Sequence, residues 1–270
     1  MGGNCLSFFN QNIPHFQQSH FTIAYSVRGY GRSELGGGDT AIFDAKYFGS
    51  DTIAVLDAEE RTEPVVIVGH SYGGLSTVRA AMEYPGRVGG VCVFSNTFVA
   101  FTNESIQKIV LLIDTQTRAD TADAAVAVKP LTVDPERQSK PGPECSPGFS
   151  NASATFVESR PVFHALMSQI KDMNVHVHNL KLMGKIYGSV TGSDSLTTPS
   201  DSSERFNKPI HFVCSNEDTA APWELVEYVA SQCGTGVSVQ FFGGCVGHSP
   251  YFELPDKYDA NLADFLGRIF

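Results

Sequence analysis

Basic residues are scarce in this chain of 270 residues: 19 Lys and Arg face 29 Asp and Glu, for a net charge of −10 and an isoelectric point near 5.2. Phosphate backbones are held by clustered Lys and Arg, and no basic run occurs here, so nucleic acid is not an expected partner. Long apolar runs are missing as well. A spanning helix needs about 18 or more consecutive apolar residues, and no stretch approaches that, so no membrane span is expected. The six cysteines are scattered instead of forming a spaced framework. A reduced, cytoplasmic protein is the resulting expectation, with Cys92 and Cys214 serving as small hydrophobes inside core strands. Metal-ligand spacing is absent too: His176 and His178 would share one strand face, but no third ligand stands near, so they read as solvated polar residues. Gly36-Gly37-Gly38 follows no strand and opens no lysine-bearing helix, so it reads as a flexible loop and not as a phosphate cradle. Asn103 and Asn151 head N-x-S triplets that would matter only in a secreted protein. Neither a metal nor an organic cofactor is expected.

What is present is an apolar run that ends in a G-x-S-x-G turn. Val65 to Val68 is a β-branched stretch suited to a buried strand, and Gly69-His70-Ser71-Tyr72-Gly73 follows it, leading into Leu75, Val78, Arg79 and Met82 at helical spacing. Such a turn pushes a serine out of its backbone into a cleft. Gly69 and Gly73 are expected to make room for the chain to fold back, and the Tyr72 N–H is expected to point where negative charge develops. His70 reads as structural. Serine is a weak nucleophile, so it requires a histidine base and a carboxylate that orients it. Asp218 is the candidate acid, in the turn after the strand Pro209-Ile210-His211-Phe212-Val213-Cys214, with Glu217 as the fallback. His248 is the candidate base, in the glycine-rich loop after the strand Val237-Ser238-Val239-Gln240-Phe241-Phe242.

Strand and helix patterns alternate on either side of this turn. Residues 7–18 read as a helix interrupted near Pro14, 20–26 as a strand, 50–61 as a helix with Ile53, Val55 and Leu56 facing inward, and 88–95 as a strand. Asp51 would sit at the positive end of the second helix. The helix 256–270 carries Tyr258, Leu262, Phe265, Leu266 and Ile269 along one face. Such alternation predicts a mostly parallel sheet covered by helices on both faces, with the reactive loops at the carboxyl ends of its strands. The stretch from 97 to 207 breaks the alternation and is too long for a connecting loop, so it is expected to be an inserted helical cap. Phe98, Phe101, Phe163, Met167, Met183 and Tyr187 are candidates for its inner surface or its own core. The domain plan is therefore core at 1–96, cap at 97–207 and core again at 208–270.

The order Ser71, Asp218, His248 resembles that of the α/β-hydrolase superfamily, in its capped, esterase-like branch. Val27-Arg28-Gly29-Tyr30-Gly31-Arg32-Ser33 is similar to the family's turn after a core strand, in which Arg28 would pin the turn. Ser26 departs from it, since many relatives carry aspartate there. Gly247-His248-Ser249-Pro250, with Glu253 and Pro255 behind it, resembles the catalytic-histidine loop. The resemblance implies the α/β-hydrolase fold and a serine hydrolase acting on a small or medium apolar ester, thioester or lactone. The same machinery in relatives also cleaves carbon–carbon bonds or eliminates hydrogen cyanide. A serine at the elbow argues against the epoxide and haloalkane branches. From a different class stands a non-catalytic or vestigial ligand-binding member of the fold. The resemblance also implies N-terminal strands that are missing here: Met1-Gly2-Gly3-Asn4 falls where the family has His-Gly-Gly at a strand end, so the chain is expected to be short there. Gly3 is then the expected second oxyanion donor beside Tyr72.

Overall fold

A computed structural model describes residues 12–28, 33, 47–71, 73–96, 208–216, 218, 221, 223–233, 236–244 and 246–270. The expected cap, the expected oxyanion donors Gly3 and Tyr72, the fallback acid Glu217, the His176 and His178 pair and the Gly36-Gly37-Gly38 loop lie outside them.

The described elements run α1 (Asn12–Phe16), α2 (Phe48–Ala58), β1 (Val65–His70), α3 (Gly73–Glu83), β2 (Val88–Phe94), β3 (Ile210–Ser215), α4 (Trp223–Gln232), β4 (Val237–Phe242), α5 (Pro250–Glu253) and α6 (Pro255–Ile269). The strands form a sheet in the order β1-β2-β3-β4, and every pairing is parallel. Its register sets His70 opposite Phe94, Phe94 opposite Val213, and Ser215 opposite Phe242. The strands therefore finish side by side, and the segments that follow Ser71, Asn96, Asn216 and Gly243 leave from one edge.

Strand periodicity sorts the side chains into two layers. Ile67, Val91, Val93, Phe212 and Cys214 pack with Phe48, Leu75, Val78, Val226 and Val229 from α2, α3 and α4. Their neighbours Cys92, Phe94 and Val213 point the other way, onto Phe16, Tyr258, Leu262 and Phe265 from α1 and α6. Both faces are covered, as the β-branched strand sequences require. Within β3 the buried His211 is satisfied on both nitrogens, by Ser238 Oγ at 2.8 Å and Asn261 Oδ1 at 2.7 Å, and it stacks on Phe265. Burial holds its pKa below the ordinary value, which keeps the ring neutral.

Three expectations are corrected here. Residues 20–26 form no strand: no ladder pairs them with β1 among the described residues, and side chains hold them instead. Tyr25 Oη bonds Thr52 Oγ1 at 2.7 Å, and the Arg28 guanidinium pairs with Asp51 in the first turn of α2. A strand is defined by its ladder, and apolar content alone does not supply one. Pro14 does not interrupt α1, because it stands in the first turn, where its missing N–H has no intrahelical partner to lose. On α2 the inward positions are Thr52, Ile53 and Leu56, and Val55 is only half-buried.

Phe94 joins the sheet to the helical layer below it. Fully buried, its ring lies 4.9 Å from His70, 5.1 Å from Tyr251 and 5.2 Å from Tyr258. Phe94→Ala is expected to cost about 3–5 kcal/mol of stability; urea unfolding midpoints measure it, and a loss below about 1 kcal/mol would contradict this packing.

Candidate active site

The end of β1 carries Ser71 in a left-handed backbone conformation, φ +50°, which a non-glycine residue adopts at a cost of order 1–3 kcal/mol. Surrounding bonds impose it. The Ser71 N–H donates to the Phe94 carbonyl at 2.9 Å, while its own carbonyl accepts from the Gly74 N–H at 2.9 Å and from Asn96 Nδ2. A Cβ at Gly69 would lie 2.5 Å from Thr77 Cγ2 and 2.7 Å from the Gly73 carbonyl oxygen, so only glycine lets the strand end press against the first turn of α3. The expectation for Gly73 is corrected: a Cβ there meets nothing within 4 Å among the described residues. The crowding falls one residue later. At Gly74 a Cβ would sit 2.8 Å from Val93 Cγ1, because α3 crosses β2 there and not at Gly73.

Asp218 and His248 come from different strand ends and meet. His248 Nδ1 lies 2.9 Å and 3.0 Å from the two carboxylate oxygens of Asp218, which is 3 % exposed. Burial works to raise the Asp218 pKa; the charge of His248, its ring hydrogen bond and the Ala221 N–H together outweigh burial and hold the carboxyl below its ordinary value. The carboxylate accepts from Nδ1–H, which leaves Nε2 as the nitrogen that can take up a proton.

Ser71 is linked to this pair through its neighbour. His70, read from the sequence as merely structural, places Nε2 2.7 Å from the His248 carbonyl oxygen and its ring 4.8 Å from the His248 ring. Desolvation and then the nearby His248 lower the His70 pKa to about 3, so it is neutral and donates from Nε2–H to the carbonyl. Two more residues that sequence reasoning assigned no role touch the same loop. Ser215 Oγ donates to the Gly247 carbonyl, and Glu253 accepts from the Gly247 N–H at 2.8 Å and the Ser249 N–H at 3.0 Å. Burial raises the Glu253 pKa from 4.5 to about 7 against the pull of those two bonds. The fixed spacing of Glu253 behind His248 was the one signal that could have found it. Among the described residues no group of three or more His, Cys, Asp or Glu could hold a metal ion, and no helix is long and apolar enough to cross a membrane.

The profile of the Alpha/beta hydrolase family matches residues 2–260. Among curated proteins, 3-oxoadipate enol-lactonase 2 of Acinetobacter baylyi is 35% identical over 91 residues, 34% of this chain and 33% of that protein. The matched stretch thus spans about a third of the curated relative's length. Among solved structures, a thermophilic esterase from Thermogutta terrifontis superposes with a TM-score of 0.71 at 14% identity, covering 98% of this chain and 86% of that one. The enol-lactonase from Burkholderia xenovorans LB400 gives 0.69 at 18% identity, covering 99% and 88%. At these identities the structures speak for the fold alone.

Two outcomes follow from the crowding at the turn and the buried carboxyl behind it. Gly69→Ala should destabilise the chain by about 1–3 kcal/mol through overpacking, whereas Gly73→Ala should leave thermal stability within about 1 kcal/mol; equal melting shifts would contradict the turn geometry. Glu253 binds its proton more tightly folded than unfolded, so it contributes stability at low pH that is lost as pH rises from 4.5 to about 7. Across that window wild type should lose stability relative to Glu253→Gln in urea titrations. A constant difference between the two would refute it.

Proposed function

We propose, since this chain belongs to the alpha/beta hydrolase family, that it is a serine hydrolase in which Ser71, His248 and Asp218 form the catalytic triad. Ser71 Oγ attacks a substrate carbonyl while His248 Nε2 takes its proton and later returns it to the leaving group. Asp218 holds the imidazole in the tautomer with Nδ1–H and stabilises the imidazolium that forms. Backbone N–H groups receive the oxyanion, with Gly3 and Tyr72 as the assigned donors. An acyl-enzyme on Ser71 is then hydrolysed by the reverse sequence. The observation that carries the reading is the His248 Nδ1 contact with both Asp218 oxygens, at 2.9 Å and 3.0 Å. It gains support from the left-handed Ser71 at the end of β1, a costly conformation that needs a reason.

The substrate is a small or medium apolar ester, thioester or lactone. The curated match to a 3-oxoadipate enol-lactonase favours the lactone arm. The protein works without a metal or organic cofactor and in the cytoplasm, and the 97–207 segment caps the site.

A fluorophosphonate probe tests the nucleophile. Rapid covalent labelling at Ser71 supports an enzyme; a folded sample that does not label is a ligand-binding member of the fold. Ser71→Ala should abolish turnover of ester and lactone panels while stability stays within about 1 kcal/mol. His248→Ala should cost nearly as much, and the double variant hardly more, because triad members act as a unit. Asp218→Asn should lower kcat by about four orders of magnitude by favouring the wrong tautomer. Full activity in Asp218→Asn together with loss in Glu217→Gln would reassign the acid.

A further inference from the structure

We propose that Glu253 is a positioning residue for His248, and that its carboxylate, with Ser215 and His70, clamps the backbone on both sides of the imidazole. The inference rests on the triad reading and adds the means by which the base is held in place. The loop after β4 cannot place an imidazole by its own stiffness: Gly243, Gly244 at φ +90° and Gly247 all stand within it, and glycine has the widest backbone freedom of any residue. Four of the six backbone N–H and C=O groups of residues 247–249 are instead held by side chains. Glu253 Oε2 accepts the Gly247 N–H at 2.8 Å and Oε1 the Ser249 N–H at 3.0 Å, Ser215 Oγ donates to the Gly247 carbonyl, and His70 Nε2 donates to the His248 carbonyl at 2.7 Å.

Capping of α5 accounts for only part of this. A glutamate reaching back to the N–H at the start of its own helix needs one oxygen, and Oε1 on Ser249 serves that purpose. The second oxygen passes the helix start and takes the N–H two residues further back, so the carboxylate brackets His248. Only an ionised carboxylate offers acceptors on both sides. A glutamine would turn an NH₂ donor toward one of the two N–H groups, and a buried donor facing a donor opens that side of the clamp. The remaining anchors come from the ends of β1 and β3, the strands that deliver Ser71 and Asp218. One clamp therefore ties the base to the strand ends that carry the other two members.

The predicted effect falls on chemistry and not on binding, since a misplacement of about 1 Å costs on the order of 10²-fold in rate. Above pH 7, where Glu253 is ionised, Glu253→Gln should lower kcat and the rate of fluorophosphonate labelling by about 10- to 100-fold with KM little changed. The downfield proton resonance of His248 Nδ1–H, assigned by its loss in His248→Ala, should broaden and exchange faster with solvent. If Glu253→Gln does not fold, Glu253→Asp keeps the charge but is one methylene too short to span both N–H groups, and should show the same pattern. A folded variant with wild-type kcat and a sharp resonance overturns the clamp. If wild type itself neither labels nor turns over, the hydrolase reading fails, while the resonance in wild type and variant still decides the clamp.

Discussion

The parallel ladder of β1 to β4 is the constraint on which everything else in the described structure depends. Parallel strands end at the same edge, so segments far apart in sequence are delivered to one place: the turn after residue 215 and the loop after 242 leave from adjacent strands, and the turn after residue 70 leaves from β1, with only β2 between. Because both faces of such a sheet must be covered, the side chains alternate between two helical layers, and a register slip of one residue would exchange them. Burial therefore locks the register, and the register fixes the strand ends from which the segments carrying Ser71, Asp218 and His248 leave. The left-handed φ at Ser71 is sustained in the same way, by bonds from β2 and α3 that would each have to break for the serine to relax.

Electrostatics at this edge follow from how little water reaches it. Asp218 stays ionised while 3 % exposed because His248 and the Ala221 N–H replace the hydration it lost. His70 is desolvated too, and the Asp218 charge offsets this only in part, so the ring is driven neutral, donates to a carbonyl and adds no charge beside the base. Glu253 lies between these cases, for two backbone N–H groups compensate burial less completely than a charged partner does. The three residues show one rule with three results. Burial is the largest single influence on all three, and the partners decide whether it is outweighed.

Much of this was legible in the sequence because local chemistry and global fold agree there. The β-branched run at 65–68, the helical spacing behind it and the glycine-rich loop around 248 each admit few conformations, and the structure uses them as expected. Asp218 and His248 were likewise readable from their places after two strands, and the structure brings them into contact. Residues 20–26 failed because a strand is a property of two segments, and periodicity in one says nothing of its neighbour. Gly73 was credited with the close approach because the motif marks where glycines recur, whereas the clash falls at Gly74, where α3 crosses β2. His70 was passed over because a contact across 178 residues of sequence leaves no local trace.

Stability and function pull in opposite directions at this edge. A serine in a left-handed backbone and a buried glutamate whose pKa is pushed up to about 7 are each unfavourable in isolation, and both stand within a few residues of the candidate nucleophile and base. Within the strands away from this edge, His211 has both nitrogens satisfied and carries no charge. Strain and buried charge that gather at one sheet edge, while the rest of the sheet avoids them, argue that they are retained for what the edge does. The packing around Phe94 makes this tolerable. Its fully buried ring lies against His70 and Tyr251 directly beneath the strained turn, so the apolar layer that stabilises the sheet also supports the residues that weaken it.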